Sequence, residues 1–188
     1  MKVESIVKYQ PINEQEEIDK IAIIDFMENN EDAYDRSNLI GHLTSSAIVV
    51  NEKMDEVLFV YHNIYNSWSW VGGHNDGDRD FLKVAIKEAK EETGLSEIRE
   101  VLGEILMIDV LPVRRHIKRG KFVGNHQHLN ITFLLVANKN EKLSIKPDEN
   151  SGVKWFKIDE VLDSVSEEEM KIVYQKAFDK ISNLKKSS

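Results

Sequence analysis

The run GHNDGDRDFLKVAIKEAKEETGL, residues 73–95, constrains this chain more than any other stretch. Its front is a turn too rich in glycine for a plain connector, and glycine lets a backbone approach a ligand or metal ion closely. From Asp80 to Thr93 the pattern becomes helical, because Leu82, Ala85, Ile86 and Ala89 recur at i, i+3, i+4 and i+7 as a buried face. Asp80 is placed to cap the helix or fill its first turn, and Gly94 stands where a helix C′ glycine belongs. Glu88, Glu91 and Glu92 gather at the C-terminal end of the same helix, at i, i+3 and i+4. Like charges at that spacing repel mildly, and the negative helix end adds to the repulsion. Such glutamates are either solvated or held by a cation. Hard divalent cations bind through carboxylate oxygens and keep several waters, which suits a phosphate substrate.

The elements around this run predict a mixed α/β fold. Residues 12–30 place Ile18, Ile21, Ala22, Ile24 and Asp25 in near-helical order behind acids, which reads as an amphipathic helix ahead of the main domain. A polar connector follows. LTSSAIVV (43–50) and EVLFVY (56–61) read as a hairpin, and SWSWVGG as a short strand entering a tight turn. Further strands are expected at 101–110, 111–117, 129–137 and 153–157. A closing helix is expected over 166–184, with acids in its first turn and Met170, Val173, Ala177, Phe178 and Ile181 as the stripe. Strand runs with a central and a terminal helix indicate a layered α/β sandwich. The boundaries expected are an N-terminal helical extension, 1–38, and one domain, 39–188.

Composition narrows the classes of partner. A chain of 188 residues, 41% hydrophobic and 31% charged, is that of an ordinary globular protein able to bury a sizeable core. Its net charge of −8 argues against general nucleic-acid binding, yet permits a phosphorylated substrate, because bound divalent cations invert the local field. With no cysteine, disulfides, thiolate metal sites and cysteine nucleophiles are excluded. No stretch approaches the ~20 apolar residues of a membrane span, and the charged first twenty residues hold no signal-peptide run. A cytoplasmic location is the expectation.

The full 73–95 stretch resembles the Nudix box: Gly, five residues, Glu, seven residues, then Arg-Glu-apolar-x-Glu-Glu-x-Gly-apolar. Counted from Gly73, Glu88, Ala89, Lys90, Glu91, Glu92, Thr93, Gly94 and Leu95 fall in register. Arg79 stands where the box has glutamate, with Asp78 and Asp80 beside it, and Lys87 replaces the arginine. Lysine keeps the charge but loses the planar fork that holds a carboxylate at two points. The likeness extends across roughly residues 40–160, and GGHNDGD with HIKRGKFVGNHQHLNITFLL looks like a bacterial branch whose turn is GGHxDGD. The resemblance implies an α/β/α sandwich with a mixed sheet and the box as loop–helix–loop beside the site. It further implies Mg²⁺, with Mn²⁺ as a substitute, held by Glu88, Glu91, Glu92 and the backbone carbonyl of Gly72. The implied activity is hydrolysis of a phosphoanhydride bond in a nucleoside diphosphate linked to another moiety, with Glu91, Glu92 or Glu149 serving the chemistry. Glu149, in the loop KPDENSG, matches a place where many Nudix enzymes bring in an extra acid, although a surface turn would look identical.

Other groups keep two readings each. RRHIKRGK, 114–121, is either a solvated hairpin tip or a loop binding the distal phosphate, with Arg119 and Lys121 the substrate-binding candidates. His74 follows the double glycine and is either a substrate contact or a structural hydrogen bond. His126 and His128 share a strand face, where two histidines can bind a transition metal, but no third ligand is obvious; packing or hydrogen bonding is the other reading. Trp68, Trp70 and Trp155 are core candidates, one of which could stack on a base. A catalytically silent ligand-binding module of the same fold is the main rival to an enzyme. An isomerase of this fold would need the cysteine this chain lacks, and RNA-end hydrolysis fits the acidic charge poorly. The amphipathic N-terminal helix is a candidate homodimer surface, dimers being common in the family.

Overall fold

The structure, a computed structural model, describes residues 3–118 and 120–187. Two helices, α1 (Val3–Lys8) and α2 (Glu14–Asn29), precede the strands β1 (Gly41–Val50), β2 (Glu56–His62), β3 (Ser67–Ser69) and β4 (Val71–His74). Then come the helix α3 (Phe81–Thr93) and strands β5 (Ile98–Glu100), β6 (Met107–Val113), β7 (His116–Lys118), β8 (Lys121–Val123), β9 (His126–Ala137) and β10 (Asn150–Lys157). A short 3₁₀ turn leads into α4 (Glu168–Ser187).

Eight of these strands form one sheet with the path β10-β2-β1-β9-β5, to which β3, β4 and β6 attach through β2, β1 and β9. The central pair, β1 and β9, is parallel from Gly41↔Gln127 to Val50↔Val136, and the other pairings are antiparallel. A central strand is covered on both faces, and β1 is accordingly buried along its whole length. Its odd-numbered side chains Leu43, Ala47 and Val49 pack with Ile6, Ile23, Phe81, Ala85 and Ala89 beneath α1, α2 and α3. The even-numbered Ile48 and Val50 pack with Phe59, Tyr174, Ala177, Phe178 and Ile181 beneath α4. This is the expected α/β/α sandwich with a mixed sheet.

The α4 side of the sheet changes character along β1. Toward its end it is apolar, but at its start the same face presents His42, Thr44 and Ser46. Thr44 and Ser46 donate to Asn130 Oδ1 at 2.9 and 2.8 Å, and Asn130 Nδ2 donates to Thr132 at 2.9 Å, so the buried polar groups satisfy one another. A hydrogen-bonded polar floor therefore lies beside the turn that ends β4.

Three expectations need correction. Of the strand expected at 101–110, residues 101–106 are irregular chain after the short β5 and 107–110 belong to β6, and the break expected after Val110 is absent because β6 runs on to Val113. Pro112 is tolerated there because β6 is an edge strand with one partner, β9. The helix of residues 12–30 exists as α2, but its inward face is not the isoleucine stripe. Ile18 and Ile21 are 60% and 70% exposed, whereas Glu16 and Ile23 are wholly buried. Polar anchoring sets this rotation: Asp19 accepts the backbone N–H of Val110 at 2.8 Å, capping the open β6 edge, and Glu16 meets Lys180 at 3.0 Å and Lys176 at 3.2 Å from α4.

Candidate functional site

The glycine turn works by close approach. A Cβ added to Gly72 would lie 2.5 Å from Ser46 Oγ and 2.8 Å from backbone atoms of Ser45 and Ser46, so that position admits only hydrogen. One added to Gly73 would lie 2.6 Å from Glu88 Cδ and displace that carboxylate. Gly72 also donates its N–H to Glu92 Oε1 at 2.9 Å. Asp80 caps α3 by accepting from Lys83 N, and Gly94 closes it at φ +75° with its N–H on Lys90 O. The helix thus docks against β4 with its acidic face turned to the glycines.

That face is narrower than the three consecutive-looking glutamates suggest. Residues four apart share a helix face, so Glu88 and Glu92 point together while Glu91 is turned aside. Carboxylate oxygens of Glu88, Glu92 and Glu149 lie within 4.8 Å of one another. Glu88 is 8% and Glu92 3% exposed. Burial, with the charges of Glu88 and Glu149 adding to it against the Gly72 N–H, pushes the Glu92 carboxyl up to about 8. Glu91 instead meets Lys146 at 3.0 Å and Lys87 at 3.5 Å, and the Lys146 hydrogen bond holds its carboxyl below the usual range. Lys146 also meets Glu149 at 3.0 Å and so ties the loop acid to the helix. Three carboxylates converging with no arginine among them form a donor set that fits a hard divalent cation.

The two positions that depart from the box have other occupations. Arg79 stacks over the Tyr34 ring, 5.0 Å from its centroid, and Asp78 pairs with Lys83 at 2.8 Å, so with Asp80 capping the helix this end of α3 supplies no carboxylate to the cluster. Lys87 reaches Glu88 Oε1 at 3.0 Å through one nitrogen. It restrains that carboxylate at a single point, as its chemistry dictates.

His74 projects from the opposite face of β4 to Gly73 and meets His42 and His128, with ring centroids 4.8 and 4.9 Å apart. The basic segment forms the two-stranded ribbon β7–β8, turning at Gly120 with φ +76°. Lys121 lies on its exposed side, and Arg119 falls outside the described residues. Among the described residues of this ribbon, Lys118 lies near enough to the histidines to bear on them electrostatically. Burial, with Lys118 adding to it, lowers His62 to about 4, whereas His74 and His128 are depressed chiefly by burial and by neighbouring histidines, with Lys118 a minor contributor. Trp68 packs edge-on against Tyr61 and Phe156, and Trp70 against Tyr174, so both serve the core. Lys146, Lys118, His42 and His62 were not singled out from sequence. For Lys146 a signal existed, since it stands i, i+3 from Glu149, and Lys118 lies inside the basic run 114–121, but nothing local points to His42 or His62.

Comparison with known proteins accords with this geometry. A family model described as NUDIX domain matches residues 41–177, most of the chain. A search of curated proteins gives no significant match. Among solved structures, an Ap4A hydrolase of C. elegans in a binary complex is 17% identical, covering 71% of this chain and 93% of its own, with a TM-score of 0.52. A NUDIX-family hydrolase from Clostridium perfringens is 19% identical over 73% and 96%, with a TM-score of 0.53. The E. coli dihydroneopterin triphosphate pyrophosphohydrolase is 12% identical over 71% and 92%, at 0.55. At such identities these structures speak to the fold, while the family model, laid over the glycine turn and the acidic face of α3, speaks to the family. The chain is a member of the Nudix hydrolase family.

Proposed function

We propose that the protein hydrolyses a phosphoanhydride bond in a nucleoside diphosphate linked to another moiety, using Mg²⁺, for which Mn²⁺ can substitute. The observation that carries the reading is the convergence of Glu88, Glu92 and Glu149 within 4.8 Å beside Gly72. These three, with the Gly72 carbonyl, would hold the cation, which when bound supplies charge to polarise the phosphates and to lower the pKa of a water. Glu91 would join the ligands only on release from Lys146 and Lys87. The carboxylate left facing the water, Glu149 or one of the helix, would take its proton. Lys118, Lys121 and Arg119 would bind the part of the substrate beyond the reacting phosphates, where cations neutralise charge, and His74, kept neutral by burial, would contribute there only as a hydrogen-bonding group.

The remaining parts of the reading concern the setting. The extension, 1–38, would brace the β6 edge of a hydrolase domain, 39–188. A homodimer through exposed Ile18 and Ile21 and a cytoplasmic location complete it, and sedimentation and cell fractionation check these two. No helix among the described residues is long and apolar enough to cross a membrane.

The test is a Mg²⁺-dependent phosphate-release screen over nucleoside triphosphates, nucleotide sugars, ADP-ribose, dinucleotides and coenzyme A. One class turned over in Mg²⁺ and silent in chelator is the expected result. Tight binding of one such ligand with no turnover of any would instead favour a binding module, a reading to which the lysine-occupied Glu91 lends some support.

A further inference from the structure

We infer that His42, His74, His126 and His128 form a second metal site, one that selects a divalent transition ion of the Zn²⁺ class. The four residues come from three neighbouring strands. His42 on β1 pairs with His128 on β9, and Thr44, two residues along on the same face, pairs with His74 on β4. Ring nitrogens of His42, His74 and His128 lie within 4.8 Å of one another. His126 adjoins this set of three, with ring centroids 4.9 Å from His42 and 5.1 Å from His128.

The hydrogen bonds aim lone pairs inward. His42 Nδ1 lies 3.2 Å from Asn38 O and His126 Nδ1 2.9 Å from Gly124 O. A carbonyl only accepts, so each Nδ1 bears the proton and each Nε2 is left as a bare lone pair. A ring N–H on a backbone carbonyl is the usual outer support of a metal-bound histidine. His42, only 5% exposed, has its Nε2 buried with no hydrogen-bond partner among the described residues. An acceptor in that position is costly, and a cation would satisfy it. The Nε2 atoms of His126 and His128 stand 3.3 Å apart. Two nitrogens on one tetrahedral zinc at ~2.0–2.1 Å each are separated by roughly 3.3 Å. Burial also holds His42, His74 and His128 below their ordinary values, in the neutral form that ligates metal.

The ligand type separates this site from the carboxylates on the other side of β4. Imidazole suits Zn²⁺, Co²⁺, Ni²⁺ and Cu²⁺, whereas carboxylate oxygens suit Mg²⁺ and Mn²⁺. An ion here would tie β1, β4 and β9 together one residue from Gly73. The alternative is a cluster of histidines bonded only to one another, which leaves His42 Nε2 unsatisfied.

The test uses the untagged full chain, stripped of metal and titrated with Zn²⁺ or with Co²⁺ as a visible probe, in a large excess of Mg²⁺. One equivalent with the visible band of nitrogen-ligated, low-coordinate Co²⁺ is expected. Binding should survive Glu92→Gln and weaken at least about 100-fold in His42→Gln and in His128→Gln, since loss of supporting groups alone weakens metal sites by up to that factor. Long-range ¹H–¹⁵N spectra of the wild-type imidazoles provide a readout independent of whether the variants fold, with Nε2 of His42 and His128 shifting on Zn²⁺ addition. A wild-type protein that takes up no equivalent, imidazole nitrogens that do not shift, or binding lost in Glu92→Gln and kept in the histidine variants would overturn the inference.

Discussion

Glu92→Gln is expected to lower Mg²⁺-dependent turnover by about 10³-fold or more, equivalent to ~4 kcal/mol of the barrier, and to leave the protein folded. The side chain keeps its shape and can still accept from Gly72 N–H through its amide oxygen, the contact that holds Glu92 at 2.9 Å. What disappears is one of three converging charges, and with it most of the attraction for a divalent cation. Thermal melting separates this from damage to the fold. A ligand bound only by the native state at ~100 times its dissociation constant adds about 2.7 kcal/mol, or roughly 5–10 °C for a chain of this size. Mg²⁺ should raise the wild-type midpoint by that order and leave the Gln variant unmoved. Without metal the variant should melt close to wild type, because the Glu92 carboxyl, pushed up to about 8, is largely uncharged at neutral pH and glutamine replaces it with a neutral group of the same shape. Undiminished turnover would remove Glu92 from the site.

Glu16→Ala is expected to be the most damaging single change outside the site, at about 3–5 kcal/mol, the cost of leaving buried partners uncompensated. Glu16 is wholly buried and receives Lys180, Lys176, the Tyr9 hydroxyl at 2.7 Å and the Ile12 N–H at 3.1 Å. Those lysines also touch β6 and the residue before it, Lys176 donating to Asp109 at 2.6 Å and Lys180 to Leu106 O at 2.6 Å. Removing the carboxylate leaves the Lys180 ammonium without its acid partner, leaves Lys176 to Asp109 alone, and loosens the helix that covers the sheet edge. The midpoint should fall by roughly 6–20 °C. The double change Glu16→Leu with Lys180→Met should cost less than Glu16→Ala, since replacing a buried pair by apolar groups is often near neutral. A Glu16→Ala protein within ~0.5 kcal/mol of wild type, the range of ordinary surface changes, would mean that residues 1–38 do not brace the domain.

What could be read from the sequence was local. The cap at Asp80 and the closing Gly94 each follow from residues within one turn and are where spacing places them. Of the expected face of α3, Ala85 and Ala89 are buried while Leu82 and Ile86 are half-buried beside Phe81 and Val84. The counterpart is α2, whose isoleucine stripe pointed the wrong way. Its orientation is set by Lys176 and Lys180, some 160 residues later, and no periodicity within 12–30 contains them. Glu91 stands beside Glu92 in the chain, but the 3.6-residue period turns it to Lys146. Glu149 reaches the cluster only because β10 pairs with β2 and its loop folds back over α3. The third and fourth histidines around His126 and His128 were out of reach for the same reason, coming from strands 52 to 86 residues upstream that only the sheet order makes neighbours. Pattern identifies the element and the family, while long-range pairing decides which side chains meet.

The most direct test of the central claim is a crystal structure of the chain grown with Mn²⁺, located by its anomalous scattering. A peak within bonding distance of Glu88, Glu92 and Glu149, beside the Gly72 carbonyl, is the result predicted. Manganese bound elsewhere, with those three carboxylates left to solvent and to Lys87 and Lys146, would contradict it.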